Sequence, residues 1–455
     1  MPRLVAVVMA AGQGTRMKSE TPKVLHDLCG WPLVRWPVEA AKAAGADLVV
    51  VVGGPDRAIA GRLPDGVEIA VQERARGTGD AVRSAAPQLR EDDTVLVING
   101  DVPLITPEAL AELARAHEEA GAAATMATMV LDDPGRYGRV VRDQQGDVVK
   151  VVEAKAGGDA TPAQLAIKEV NSGVYVFAGG PLTDALERIT TDNEQGEYFL
   201  PDVLPIIAAR GGRVTADVVD DPTLTLGVND RVELAAVREL AQRRIHERHG
   251  RNGVTIVQPS STTIDVTVEL GPDTTVEPAT VLRGVTRAGA GCRLGPSTTI
   301  VDTRLGDRVT VLHSHLVDSA AEDGVAIGPF VHLRGNTLLR AGAKAGTFVE
   351  MKNADIGEGT KVPHLSYLGD ATVGQHSNIA AANVTANYDG RHKHRTTIGA
   401  GVRTGVDTTF VAPVTVGDGA VIAAGSVITD DVPAEALGVA RARQRNIEGY
   451  SRRKD

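Results

Sequence analysis

The stretch TIDVTVELGPDTTVEPATVLRGVTRAGAGCRLGPSTTI, residues 263–300, decides the fold of the second half of the chain. Every sixth residue from 264 gives Ile264, Leu270, Val276, Leu282, Ala288, Leu294 and Ile300, an unbroken apolar set. With 42% of the chain hydrophobic, seven such hits in a row have a chance of roughly 2 in 1000. A one-residue shift restarts the pattern as Leu305, Val311, Val317. Further runs are Ile327, Leu333, Leu339, Ala345, Met351, then Ile356, Val362, Leu368, and finally Ile398, Thr404, Phe410, Val416, Ile422, Ile428. An α-helix has no six-residue period. A parallel β-helix of hexapeptides turns a corner every six residues and points one small aliphatic residue inward each time. Glycine follows the inward position at Gly271, Gly295, Gly328, Gly357, Gly369, Gly399, Gly405 and Gly417, where a tight corner favours a residue without Cβ.

Between Ala382 and Thr396 the period breaks at NYDGRHKHR, a polar, basic insertion that projects as a loop. It reads either as a solvated loop or as an arm supplying charge to a site on a neighbouring subunit. The tail after Pro433 reads as extended.

Up to about residue 228 the pattern is different. Short β-branched runs (Leu4–Val8, Leu48–Val52, Val95–Ile98, Gly173–Phe177) alternate with helical patterns such as Thr106–Ala120 and Leu182–Ile189. This alternation implies βαβ units, a mainly parallel sheet and ligand binding at the carboxyl ends of the strands. Asn229–His249 reads as one exposed helix. The expected organisation is an α/β domain over residues 1–228, a connecting helix over 229–250, and the β-helix with its tail over 251–455.

Composition narrows the function. The 455 residues include 50 glycines and only 5 Phe, 6 Tyr and 2 Trp. Glycine is in excess, but without a G-X-Y period and with ordinary charge, so collagen and disorder are excluded. Forty-eight basic against 58 acidic residues give a net charge of −10, which disfavours nucleic acid and anionic membranes as partners. An anionic substrate would need a locally built basic pocket. Cys29 and Cys292 stand far apart without a C-x-x-C partner, as in a reducing compartment. The opening MPRLVAVVMAAG runs straight into polar GQGTRM and reads as a buried strand rather than a signal peptide. No run approaches the ~20 apolar residues of a membrane helix, so a cytoplasmic protein is expected.

The first strand is followed at once by Ala10-Ala11-Gly12-Gln13-Gly14-Thr15-Arg16-Met17, with Pro22-Lys23 shortly after. Gly12 and Gly14 let backbone N–H groups approach phosphate oxygens, and Arg16 and Lys23 can neutralise a triphosphate. Thr94–Ile98 ends in Asn99-Gly100-Asp101-Val102-Pro103. An Asp at the end of a buried strand, together with substrate phosphates, is a usual way to hold Mg²⁺. The whole string from Met9 to Met17 with Pro22-Lys23 resembles the sugar-1-phosphate nucleotidyltransferases, which implies UTP as a substrate. The resemblance assigns Met9, Ala10, Ala11, Gly12, Lys23, Asn99, Gly100 and Asp101 to the nucleotide site, and Gln72, Gly77 and Thr78 to uracil reading. It assigns Gly138 (in Tyr137-Gly138-Arg139), Glu153, Asn171 and Asn229 to the sugar, with Asn229 sharing one Mg²⁺ with Asp101. Singly, Gly138 could be a turn, Glu153 a solvated strand residue and Asn229 a helix N-cap.

A nucleotidyltransferase domain followed by hexapeptides resembles the bifunctional GlmU family of bacteria over residues 3–449. That resemblance implies an α/β nucleotidyltransferase, Rossmann-like with a mostly parallel sheet, followed by a left-handed parallel β-helix that assembles as a homotrimer. It also implies two reactions: acetyl transfer from acetyl-CoA to glucosamine-1-phosphate, then uridylyl transfer to N-acetylglucosamine-1-phosphate. FVEMKNADIGEGTKVPHLSYLGD is the most specific string. Within it His364 matches the proton acceptor, a role that suits imidazole with its pKa near 6.5. Arg334, Lys352, Tyr367, Asn378, Asn387, Tyr388 and Lys393 match acceptor-binding residues, and Ala381, Val406, Ala424 and Arg441 match acetyl-CoA contacts. Two residues depart from the family pattern. Val406 stands where Ser is usual, and Asp80 where His is often found. One alternative keeps only uridylyl transfer, with the β-helix as a trimerising scaffold. Another, a nucleotide-sugar-sensing regulatory subunit, would be expected to have lost Asp101, Arg16 or Lys23.

Overall fold

The computed structural model describes residues 2–12, 14–135, 137–144, 146–152, 160–192 and 196–452. The chain divides into two compact units, Met1–Ala241 and Gln242–Asp455. The first is built on one sheet with the strand order Val214–Val218, Ala124–Val130, Glu169–Ala178, Thr94–Asn99, Leu4–Met9, Leu48–Gly53, Val67–Val71. Val5–Val8, Val49–Val52 and Val95–Ile98 are fully buried, as strands covered on both faces must be. Leu4–Met9 runs parallel to both Leu48–Gly53 and Thr94–Asn99. The pairings around Leu4–Met9 are parallel as expected, while the strand containing Gly173–Phe177, Glu169–Ala178, lies antiparallel to both of its neighbours, so the mostly parallel sheet is mixed. Met9 pairs with Asn99, so two strand ends open side by side at the carboxyl edge. The helix Pro107–Glu119 starts where its cap dictates, with Thr106 Oγ1 accepting from Ala109 N–H at 3.3 Å and proline in the first turn.

The helix expected over Asn229–His249 spans Arg231–Arg251, 21 residues, about 31 Å at 1.5 Å per residue. Asp230 Oδ1 caps it by accepting from Val232 and Glu233 N–H. It is not exposed all round: Leu234, Val237, Ala241, Ile245 and His249 form a buried stripe. The division between units falls inside this helix, after Ala241, rather than at its ends.

In the second unit the chain coils through three sheets of seven, ten and nine strands, each paired in parallel with its counterpart one coil away. Ile264, Leu282 and Ile300 stack in register. The sixth-residue positions are buried from Val276 through Ile428, with Leu270 half-buried and one slip. At that slip Leu316 is buried, and Val317 is half-buried. The chain there takes two consecutive five-residue sides, Val311 to Leu316 and Leu316 to Ala321, and the sixth-residue count overshoots by one.

Gly295 and Gly328, at φ +102 and +107, sit where the corner itself favours glycine, as expected, but others of the set have a different reason. At Gly271, Gly357, Gly399, Gly405 and Gly417 a Cβ would lie 2.3–2.6 Å from an atom of the next coil, in most cases its backbone. Many of the left-handed corners are held by other residues, among them Asp273, Asp302, His313, Asp318, Phe330, Phe348, Asp370 and Asp407. Several aspartates accept backbone N–H groups from the adjoining coil, as Asp307 does from Ala290 and Asp418 from Ala400.

The insertion is a closed hairpin rather than an open loop. Tyr388 bridges Lys393, and Asp389 accepts from Arg391 N–H, His392 N–H and His394 Nε2, each at 2.7 Å. These bonds pull the Asp389 carboxyl down to about 2. The tail is not simply extended, since Leu437–Gly438 adds a strand beside Val421–Ile422. Neither cysteine is in a disulfide, and both are buried. Among the described residues no helix is long and apolar enough to cross a membrane.

Two buried histidines predict acid lability. His117, with Nδ1 2.9 Å from Thr125 Oγ1, and His249, whose Nε2 has no partner among the described residues, are both held down to about 4 by burial. A folded-state pKa below the unfolded value near 6.5 gives stability that is present above pH 6.5 and lost as the pH falls towards 4. Urea midpoints at pH 7 and pH 5 should show this loss. His117→Gln or His249→Gln should each remove about 1 kcal/mol of it, after allowance for solvent screening.

Candidate active sites

A cleft of about 490 Å³ opens at the carboxyl edge of the first unit's sheet. Its lining includes Met9, Ala11, Gly12, Lys23, Gln72, Gly77, Thr78, Asn99 and Asp101. Gly100 packs on Met9, donating its N–H to the Met9 carbonyl at 2.8 Å, and Ala10 lines an adjoining hollow. Gly14 has φ +60, and a Cβ there would lie 2.4 Å from Lys23 Cβ. Glycine therefore lets the cradle close against the segment that carries the lysine.

The charged groups meet at one end of this cleft. Lys23 Nζ donates to Asp101 Oδ2, and both side chains are under a fifth exposed. Lys23 Nζ also reaches Asn229 Oδ1 at 3.4 Å, and Arg16 Nη2 donates to the same oxygen at 2.9 Å. Asn229 is set by its own N–H bond to Glu233 Oε2 at 2.6 Å, and Val228 N–H bonds the Asp101 carbonyl at 2.9 Å. A carboxylate and an amide oxygen thus converge on the Lys23 ammonium, and the amide oxygen also accepts from Arg16. Two hard oxygen donors, with the remaining positions left to phosphate and water, fit Mg²⁺.

Asn171 N–H bonds the Gly138 carbonyl at 2.9 Å, and Asn171 Oδ1 accepts from Tyr175 Oη and Gly173 N–H. A Cβ on Gly173 would clash with Asn99, so this pair lies beside the strand end that carries Asn99. Tyr137 next to Gly138 is pushed up by burial and by the charges of Glu233 and Asp101, which brings that turn to the charged end. Glu153 lies outside the described residues.

Sequence reasoning missed Ala75, Ala81 and Glu197, which also line the cleft, and Tyr198, whose backbone oxygen would lie 2.4 Å from a Cβ on Gly77. Nothing local in the sequence marks Tyr198, because the contact exists only through the fold.

In the second unit Lys361, Asn378, Arg403 and Val421 pair as successive parallel bridges. Three residues further on stand His364, Ala381, Val406 and Ala424, which therefore form one column of equivalent positions. At about 4.8 Å per coil the column spans roughly 14 Å. Asp407 N–H bonds the Ala381 carbonyl and Gly425 N–H the Val406 carbonyl, each at 2.9 Å. Pairing of Val421 with Leu437 extends the column by one coil to the neighbourhood of Arg441, whose Cδ approaches Gly425. His364 is exposed, and its imidazole has no hydrogen-bond partner among the described residues. Val406 is 52% exposed.

On the adjoining face Arg334 bonds Glu350 at 2.6 Å, and Tyr367 pairs in register with Glu350. Lys393, with Arg334 also near, pulls the Lys352 ammonium below its ordinary value. Burial opposes ionisation of Asp370, but bonds from Asn353 (2.7 Å) and Asn387 (2.5 Å), with Lys393 and Lys352 nearby, hold it below the usual carboxylate range. The hairpin thus returns Lys393 to Lys352 of its own chain. Asn378 stands on the neighbouring face, and Tyr388 gives its hydroxyl to the Gly390 carbonyl, so neither is hydrogen-bonded to this cluster. Glu350, Asp370 and Asp389 were not anticipated as organising residues.

Residues 6–200 match the MobA-like NTP transferase domain, and residues 395–430 match the bacterial transferase hexapeptide (six repeats). The chain is 50% identical to the bifunctional protein GlmU of Mycolicibacterium vanbaalenii, covering 98% of this chain and 92% of the relative. It is 50% identical to that of Streptomyces avermitilis over 98% and 94%. For Caldanaerobacter subterraneus the identity is 46% over 99% and 98%. With these relatives matched over nearly the whole chain, the chain belongs to the bifunctional GlmU family of nucleotidyltransferases and hexapeptide acyltransferases.

Proposed function

We propose that the second unit acetylates glucosamine-1-phosphate from acetyl-CoA. The first then transfers UMP from UTP to the resulting N-acetylglucosamine-1-phosphate, giving UDP-N-acetylglucosamine, a peptidoglycan precursor, and pyrophosphate. The observation that carries the reading is the convergence of Lys23, Arg16, Asp101 and Asn229 at the mouth of a glycine cradle. In uridylyl transfer a phosphate oxygen of the sugar forms a bond to the α-phosphorus, and the bond from that phosphorus to the leaving pyrophosphate oxygen breaks. The nucleophile is already an anion and needs no base, so alignment and charge neutralisation by Arg16 and Lys23 carry the step. Mg²⁺ held by Asp101 and Asn229 would add neutralisation at the phosphate oxygens.

In acetyl transfer the amine nitrogen bonds the thioester carbon, the C–S bond breaks, and CoA leaves as the thiol. His364, with a free ring in reach of solvent, takes the proton from the attacking nitrogen. Arg334, Lys352 and Lys393 provide the cationic patch for the sugar phosphate, and the column above His364 provides a straight track for the CoA arm. The intact cation cluster speaks against a β-helix kept only as a scaffold.

A homotrimer and a cytoplasmic setting complete the proposal. Phe330 and Phe348 stack at 5.3 Å, and each is more than half exposed on a single chain. A second copy would cover that apolar ladder. Two cysteines outside any disulfide suit a reducing compartment.

Asp101→Ala should cut pyrophosphate release from UTP and N-acetylglucosamine-1-phosphate by at least about 100-fold, with unchanged circular dichroism and unchanged acetyl transfer. Near-normal turnover would remove the metal assignment. His364→Ala should lower CoA release by about 10²–10⁴-fold while leaving pyrophosphate release intact. If the parent protein releases no CoA, the scaffold reading holds instead. Val406→Ser should raise acetyl transfer by about tenfold, the worth of one hydrogen bond, without moving the KM for UTP.

A further inference from the structure

Gln72 is 4% exposed and lines the nucleotide cleft. Its Nε2 donates to Asp80 Oδ2 at 2.9 Å and to the Gly77 carbonyl at 3.2 Å. Both partners can only accept, so the amide nitrogen must face them and the amide oxygen must face away. That oxygen has no partner among the described residues. Asp80 is 7% exposed, and its other oxygen lies 3.4 Å from Arg76, which balances its charge. A buried carboxylate with its own arginine is more than a glutamine needs for packing. It fixes which end of the amide the cleft meets.

We infer that Asp80 is a positioning residue that holds Gln72 with its oxygen towards the base, so that the pocket accepts from the N3–H of uracil and opposes the lone pair at N3 of cytosine. The inference rests on the reading of the first unit as a uridylyltransferase. It adds to that reading the source of base selection, which lies in a residue that never touches the nucleotide. The backbone around Asp80 supports this role. Gly77 at φ +108 and Gly79 are packed against Tyr198, so the turn that carries Gly77, Gly79 and Asp80 has one path and the carboxylate cannot drift from Gln72.

The test compares kcat/KM for UTP and CTP on the full-length protein with Mg²⁺ and N-acetylglucosamine-1-phosphate, read as pyrophosphate release. A parent enzyme without preference for UTP would overturn the uridylyltransferase reading itself. Given that preference, Asp80→Asn should lower the UTP-to-CTP ratio about tenfold, since the amide can now turn and one hydrogen bond changes sides. Asp80→Ser, whose hydroxyl can donate or accept, should lower it likewise and serves if the first variant does not fold. Adding Asp80→Asn to Gln72→Leu should lower the ratio no further than Gln72→Leu alone, because position 80 acts only through the amide at position 72. An unchanged ratio in Asp80→Asn and Asp80→Ser, an equal loss for both nucleotides, or a further fall in the ratio when Asp80→Asn is added to Gln72→Leu would overturn the inference.

Discussion

Close approach of one backbone segment to another sets the geometry of both units. In the first, Gly14 lies against Lys23, Gly100 against Met9 and Gly77 against Tyr198, each too close for a side chain. These contacts draw three loops onto one strand edge and form the cleft. In the second, Gly271, Gly357, Gly399, Gly405 and Gly417 let successive coils seat at sheet spacing. The glycine-rich, aromatic-poor composition therefore has one physical cause in two architectures. The narrow coil interior takes aliphatic residues, with Phe410 a fully buried ring within it.

Electrostatics follow from the same geometry. A chain of net charge −10 assembles its cations locally and pairs each group in advance: Lys23 with Asp101, Arg334 with Glu350, and Lys352 and Lys393 near Asp370. The pairing keeps these sites from carrying uncompensated charge before substrate arrives, and it means that a phosphate must compete with a carboxylate for its cation. Lys352, lowered by Lys393 beside it, is the group whose charge an arriving phosphate would favour most.

Much of this was legible in the sequence because it is periodic or local. The inward positions, the strand ends at Met9 and Asn99, and the cradle string all lie within short windows. What escaped was set by pairing across long separations or by small departures in spacing. Val317 was expected inward because a count of six cannot see two consecutive five-residue sides. The antiparallel strand Glu169–Ala178 has the same composition as a parallel one. The connecting helix read as exposed because its buried stripe is thin, one residue per turn among arginines and glutamates. Glu350, Asp370 and Asp389 look like surface acids until their partners, Arg334, Asn387 and His394, are brought to them.

The valine at 406 shows how far a column fixed by backbone can tolerate a change of side chain. Its carbonyl is held by Gly425, and the residue before it, Gly405, is locked against Ala424, so the path of the chain does not depend on what residue 406 carries. On the proposed reading, Ala381 below and Ala424 above leave the track open for an extended thioester. On that reading a hydroxyl lost there removes a hydrogen bond from the reacting end without moving His364 or the cations on the adjoining face. The proposal therefore makes binding of the acyl donor and the rate of its transfer separable at this one position, the coil supplying the first and the side chain only the second.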